Sequence, residues 1–360
     1  MTPQEDPAPS RATPAAQDLL RSLVSGNTLG RDESGALFSA LLGGGLEDAQ
    51  IGAALALIQS RGATVDELVG AARVMRSHVT PVPYETEGDA VLVDTCGTGG
   101  ATKTFNVSTV AAIVAASVEP PPGRPRAVVA KHGNRSRTGR GSAEVLAELG
   151  VNLDATPEQQ ARCLSAAGVC FSFAVRHHPA MRHAAGPRKA LGFPTIFNLL
   201  GPLTNPAGAT RQLLGVYLPE LIEPVAQALA ALGAERAIVA HGGGGLDELS
   251  TLGPSEIAIV EAGSVRSESV DAEALGLPRA TLELVACDSV QQNAEVARKI
   301  LDGEPGPRTD LALINAASAL FVASTARSID EGLMLARDAI GKGEARRTLD
   351  ALAAVSHETA

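Results

Sequence analysis

The chain has 360 residues, a formal charge of −10 at pH 7 and 45% hydrophobic residues, enough for one large or two ordinary domains with an ample core. Its acidity argues against a nucleic-acid partner, because phosphate backbones attract basic surfaces. No apolar run is long enough for a membrane span, and Cys96, Cys163, Cys170 and Cys287 lack metal-binding spacing, so they read as reduced thiols of a cytoplasmic protein. With no Trp, two Tyr and seven Phe, the core must be built from Ala, Val, Leu and Ile.

Residues 1–16 are acidic and proline-rich, without the basic and apolar regions of a secretory signal, and read as a disordered leader. Residues 17–82 read as a helical domain. Ile51, Ala54, Leu55 and Ile58, then Leu68, Val69 and Ala72, recur with helical rather than alternating period. Glycines at 43–45 and 62 break the segment into short helices, and Thr64 with Glu67 forms a capping-box pattern. This domain is expected to serve as a scaffold or dimer surface.

From residue 83 to 360 short apolar runs alternate with helices. Strands are expected at 91–93, 127–130, 169–173, 212–216, 237–240 and 257–260. Helices are expected at 107–117, 143–148, 157–167, 221–232, 289–301, 314–320 and 328–340. The expected fold class is α/β: a small N-terminal α-helical domain plus a large α/β domain with a mostly parallel central sheet. Segments near 175–205 are expected to return to the helical domain.

Three polar clusters follow strands. The first is the glycine turn Gly97-Thr98-Gly99-Gly100 and the segment from Thr104 to Thr109, which opens a helix. Such a turn either merely joins strand to helix or cradles an anion with its N–H groups; the hydroxyls and Asn106 favour the second. The next runs from Lys131 to Ser142, where four cations and three glycines in an acidic chain suggest a polyanion such as pyrophosphate. Last comes His241, four glycines and Leu246-Asp247-Glu248. Its adjacent carboxylates, at an expected loop-to-helix junction, either exploit the helix dipole or hold a cation, and oxygen ligands beside phosphate select Mg²⁺. His177 and His178, being adjacent, diverge on a helix and make a poor chelate. Arg188 suits a substrate carboxylate. The chain has no Ser-His-Asp, HExxH or Walker A pattern, and its glycine turn is not a dinucleotide GxGxxG.

GTGG with TFNVST, KHGNR, GSAEVLAELGVNLD, HHPAMR, PRKALGFPTIFNLLGPLTNP, GLDELS, NAEVARKILDG and LINAASAL follow one another in the order that resembles the anthranilate phosphoribosyltransferase family. The resemblance implies transfer of phosphoribose from phosphoribosyl pyrophosphate (PRPP) to anthranilate in tryptophan biosynthesis, with Mg²⁺, by a homodimer joined through its helical domain. It makes Gly97, Gly100, Ala101, Thr104, Asn106, Val107, Ser108, Thr109, Lys131, His132, Gly133, Asn134 and Ser142 the PRPP contacts. Anthranilate would meet Gly97, Asn134, His178 and Arg188, with His132 lining that side, and Mg²⁺ would meet Ser108, Asp247 and Glu248. No general base is implied.

Two departures stand out. Ala101 occupies the place where the family usually has Asp, and both phosphate loops are one residue short. These imply altered loop closure or weaker donor binding, and Lys103 is an alternative phosphate contact. A paralogue with another aromatic acceptor and a pyrimidine nucleoside phosphorylase are the other readings compatible with the fold.

Overall fold

The computed structural model describes residues 16–102, 104–136 and 139–358, so all but Ala16 of the expected leader lies outside it; Ala16 itself opens the first helix. Four helices form the N-terminal bundle: α1 (Ala16–Val24), α2 (Arg31–Leu42), α3 (Asp48–Arg61) and α4 (Val65–Ser77). At the start of α4, Thr64 Oγ1 accepts from Glu67 N at 3.2 Å and the Glu67 carboxylate accepts from Thr64 N at 2.9 Å, a reciprocal cap. Glu67 does more than cap. Fully buried, it also accepts from Leu29 N at 2.9 Å and pairs with Arg61, tying the approach to α2 and the end of α3 to α4.

The α/β domain begins with β1 (Val91–Gly97), α5 (Val107–Ala116), β2 (Ala127–Gly133), α6 (Ser142–Glu148), α7 (Pro157–Ala167) and β3 (Val169–Phe173). Short helices α8 (Ala174–His177), α9 (Arg182–Leu191) and α10 (Ile196–Leu200) lead to β4 (Arg211–Gly215), α11 (Ile222–Ala231), β5 (Arg236–His241), β6 (Ser255–Glu261) and β7 (Ser264–Val270). The chain closes with α12 (Leu282–Val285), α13 (Val290–Leu301), α14 (Pro307–Val322), α15 (Ile329–Gly341) and α16 (Glu344–Ser356).

The seven strands lie in the order β3-β2-β1-β4-β5-β6-β7, parallel from β3 to β5 and antiparallel beyond. The chain winds outward from β1 to β3, then returns to the opposite side of β1. A crevice therefore opens between the carboxyl ends of β1 and β4, the place where open α/β sheets bind ligands. Alternate strand residues feed two cores. Ile238, Ala240, Ile257 and Ile259 pack with α5, α13 and α14; Ala237, Val239, Ala258 and Val260 pack with α10, α11 and the bundle. Helices α9 and α10 add Ala184, Ile196 and Phe197 to that second core.

The expected strands β1 and β2 were too short. They continue through Asp94, Thr95, Lys131 and His132, because buried hydrogen bonds satisfy these polar side chains and polarity alone does not end a strand. Strand β7 is mostly exposed and polar, so it lacks the apolar signal of a core strand; it pairs with β6 through a two-residue turn, Ala262-Gly263, with φ of +50° and +80°. Helix α14 starts seven residues before its expected onset, and α16 was not anticipated.

Replacing Glu67 with Leu leaves the Arg61 guanidinium and two buried N–H groups without their acceptor, and should lower stability by about 3 kcal/mol in denaturant titrations. Burial raises the Glu67 pKa, but Arg61 and the Thr64 and Leu29 N–H groups outweigh it and hold the carboxyl below its ordinary 4.5. Its contribution is therefore present above pH 4.5 and fades as pH falls through the lower folded value, so the penalty of Glu67→Leu should shrink between pH 7 and about pH 3.

Candidate active site

Gly97 and Gly215 are register partners at the ends of β1 and β4. A Cβ on Gly215 would stand 1.6 Å from the Asp247 carbonyl oxygen, and one on Gly97 would stand 2.6 Å from Asp247 Oδ2. Two missing side chains thus let the β5–β6 connection cross the crevice. Asp247 Oδ2 accepts from Gly99 N at 3.0 Å, Glu248 Oε1 accepts from Thr104 Oγ1 at 2.9 Å, and Gly245 O accepts from Thr102 N at 3.1 Å. Asn315 of α14 supports the crossing from below, accepting from Leu249 N at 3.0 Å and donating to Leu249 O at 2.8 Å. The expected loop-to-helix junction is corrected: no helix lies between β5 and β6, so a neighbouring N–H and hydroxyl, rather than a helix dipole, meet the two carboxylates.

The turn bends at Gly99 and Gly100, with φ of +66° and +96°. Gly97 and Gly100 are exposed, and Ala101, Thr104, Asn106 and Ser108 are half-buried. The Val107 and Thr109 side chains are buried: their residues are 1% and 0% exposed, and the Thr109 hydroxyl has no partner among the described residues. Helix α5 is covered on almost every side, so residues 107 and 109, on nearly opposite faces, are both buried, and Ser108 keeps partial exposure.

Lys131 is buried on β2, and its Nζ donates to Thr95 O at 2.8 Å and Ser108 Oγ at 3.0 Å. Burial lowers its pKa, while the fields of Asp94, Cys96, Glu248 and Asp247 favour the ammonium form. Beyond it, Gly133 admits Ser142, whose Oγ would lie 2.3 Å from a Cβ there, and Asn134 O accepts from Ser142 Oγ at 3.5 Å. Asn134 Oδ1 accepts from Arg135 N at 2.8 Å. Lys103, Arg137 and Thr138 lie outside the described residues.

On the other side, His132 Nε2 and His178 Nε2 stand 3.3 Å apart, one donating to the other. Burial pushes both rings below their ordinary pKa; His178 and His177 further disfavour a charge on His132, and His177 disfavours one on His178, which falls to about 4. The pair is neutral at pH 7. His177 turns away, its ring nitrogens meeting Thr80 O at 2.7 Å and Gln160 Oε1 at 3.0 Å. Arg188 of α9 lies over the Phe197 ring at 5.2 Å, and Asn198 beside it donates to Thr98 O at 3.3 Å, linking α10 to the glycine turn.

Sequence reasoning missed Asp94, Gln212, Gly215, Asn293 and Asn315. Asp94 is fully buried; it accepts from His132 N and from Gln212 Nε2, each at 3.2 Å, and Gln212 also donates to Pro202 O at 2.7 Å. Burial raises the Asp94 pKa, opposed by hydrogen bonds and Lys131. Only the unusual polarity of Asp94 and Gln212 within apolar strands signals them.

Residues 17–79 match the helical bundle domain and residues 89–346 the a/b domain of a glycosyl transferase family. The chain is 46% identical over 347 residues to the anthranilate phosphoribosyltransferase of Caulobacter vibrioides, covering 95% of this chain and 98% of that one. It is 46% identical over 329 residues to the enzyme of that name from Pelotomaculum thermopropionicum, covering 91% and 92%. The chain belongs to the anthranilate phosphoribosyltransferase family. Its fold matches the crystal structure of anthranilate phosphoribosyltransferase from Thermus thermophilus with a TM-score of 0.85 and 39% identity, over 95% of this chain and 100% of that one. It also matches the Saccharomyces cerevisiae enzyme in complex with PRPP and Mg, with a TM-score of 0.83 and 25% identity over 95% and 97%.

The donor set suits Mg²⁺ that arrives with a phosphate. Among the described residues no three His, Cys, Asp or Glu side chains gather to hold an ion alone. Two carboxylates and a hydroxyl match an ion that keeps waters and takes its remaining oxygens from substrate. Ser108 Oγ already accepts from Lys131, leaving one lone pair for a further partner.

Gly215→Ala should displace the Asp247 segment and cost about 10²-fold in kcat/KM, the scale of a 1 Å misplacement. Steady-state kinetics beside a thermal melt checks this, and a folded variant with unchanged kcat/KM contradicts it.

Proposed function

We propose that this enzyme transfers the 5-phosphoribosyl group of PRPP to the amine of anthranilate, giving N-(5-phosphoribosyl)anthranilate and pyrophosphate in tryptophan biosynthesis. The crossing of Asp247 and Glu248 over the glycine turn carries this reading, because it sets paired carboxylates beside a phosphate cradle at the switch point. Family membership supports it.

In this reading Gly97, Gly100, Ala101, Thr104, Asn106, Ser108, Lys131, Gly133, Asn134 and Ser142 meet PRPP, and Val107 and Thr109 contribute through their main chain at the start of α5. Asp247, Glu248 and Ser108 would hold Mg²⁺, which when bound would neutralise charge developing on the leaving pyrophosphate. The Lys131 ammonium and the N-terminal N–H groups of α5 favour that negative charge too. Arg188 pairs with the anthranilate carboxylate, and Gly97, Asn134, His132 and His178 line the acceptor. The C1–O bond to pyrophosphate breaks and a C1–N bond forms through an oxocarbenium-like state, and the surplus proton of the amine leaves to water or to the departing pyrophosphate. A neutral histidine pair places no positive charge beside that carbon. Burial holds His178 at about 4 and lowers His132 as well, so neither ring is charged at pH 7. Orientation supplies much of the acceleration.

A cytoplasmic homodimer joined through the helical bundle belongs to the same reading. Val24 on α1 is 71% exposed, the four cysteines are buried thiols, and no described helix is long and apolar enough to cross a membrane.

Purified protein with anthranilate, PRPP and Mg²⁺ should consume anthranilate fluorescence; no turnover would overturn the proposal. Combined Asp247→Asn and Glu248→Gln should lower kcat/KM by about 10²-fold or more, since metal charge stabilisation is worth several kcal/mol. Arg188→Ala should raise the anthranilate KM about 10-fold or more, the scale of a charged hydrogen bond, and leave the PRPP KM nearly unchanged. An unmoved anthranilate KM would refute the role given to Arg188.

A further inference from the structure

Asn293, in the first turns of α13, is 2% exposed and its side chain hydrogen-bonds to Asn106 on the donor side of the crevice. Its Oδ1 accepts from Asn106 N at 2.9 Å, and its Nδ2 donates to Ser289 O at 2.8 Å. A main-chain N–H can only donate and a carbonyl can only accept, so these two groups fix which end of the Asn293 carboxamide is which. The same Oδ1 lies 3.2 Å from the Asn106 side chain, which must therefore present its NH₂. The second hydrogen of that NH₂ goes to Arg140 O at 3.1 Å. Arg140 is held in turn, with Nη1 donating to Cys287 O at 2.6 Å and standing 3.6 Å from Asp288. The segment leading into α13 thus grips both phosphate loops.

The consequence lies in what Asn106 retains. Both N–H bonds of its side chain are committed, whereas Oδ1 makes no hydrogen bond among the described residues and is not among the buried polar atoms lacking a partner. A phosphate oxygen placed there would face a lone pair. A hydroxyl would find an acceptor.

We propose that Asn293 is a positioning residue that commits Asn106 to accept a hydrogen bond from a sugar hydroxyl of the phosphoribosyl donor rather than donate one to its phosphates. The proposal rests on the function given above. It separates two kinds of ligand that share the crevice: a donor bearing sugar hydroxyls depends on the Asn293–Asn106 contact, and inorganic pyrophosphate does not.

The test is steady-state kinetics of the full chain with Mg²⁺, varying PRPP and using inorganic pyrophosphate as competing inhibitor. Asn293→Ala should raise the PRPP KM about 10-fold while the pyrophosphate Ki and the anthranilate KM stay within about twofold. Asn293→Asp, whose carboxylate still accepts from Asn106 N and from the Asn106 NH₂ and gives up only the bond to Ser289 O, should keep the PRPP KM within about threefold of the unmodified enzyme. Should Asn293→Ala fail to fold, the half-buried Asn106→Ala carries the same split between KM and Ki, and Asn293→Asp still reports on the grip. A pyrophosphate Ki that rises in step with the PRPP KM overturns the proposal, as does an unmoved PRPP KM or an Asp variant as impaired as the Ala variant. If the unmodified enzyme consumes no anthranilate, the function itself falls; if it does and these variants fail the pattern, only the role of Asn293 falls.

Discussion

The site depends first on a steric fact: Asp247 lies where the Cβ atoms of two glycines would be, its main chain against Gly215 and its carboxylate against Gly97. Strand order makes those two glycines neighbours at the switch point, and the reversal of direction at β6 brings the chain back across them. A parallel β6 would require a crossover of a dozen or more residues leaving over a face of the sheet, and the carboxylates would leave with it. Close approach here is a property of topology and of two small residues together.

Beneath that crossing lies a layer of buried polar groups. Asp94 and Lys131 are each pushed toward neutrality by burial, and each restrains the other's shift. Hydrogen bonds from His132 N and Gln212 to Asp94, and from Lys131 to Thr95 O and Ser108, satisfy groups that would each cost about 1–3 kcal/mol if left alone in the interior. Asn293 and Asn315 play matching parts from α13 and α14, each fixing main chain on one side of the crevice. A site held by such bonds has few alternative arrangements.

Much of this was legible in the residues, and the limits have physical reasons. Strand, glycine turn and helix follow from period and from Gly chemistry, and the Asp247–Glu248 pair announces itself as charge without a partner nearby in sequence. That the side chains of Val107 and Thr109 are buried was not legible, because a motif names neighbours in sequence and does not show that α5 is covered on almost every side. The lengths of β1 and β2 were hidden because Asp94 and Lys131 look like loop residues until their buried partners are known. Asn293 and Asn315 sit in segments that helped reveal the family, yet an asparagine within a helix carries no mark of what it holds. Gly215 was invisible for a related reason: the atom that excludes a side chain there belongs to Asp247, 32 positions away in the chain.

The two halves of the crevice are mounted on different parts of the fold. Asn106, Lys131 and Ser142 stand on the sheet and on helices of the α5–α13–α14 core, whereas Arg188 and Asn198 stand on the α9–α10 connection, which shares its core with the bundle. Mutations that reshape the second half need not disturb the bonds that order the first. In the function proposed above, a change of aromatic acceptor would fall on the α9–α10 connection, while the groups that would hold the sugar phosphate stand on the other core.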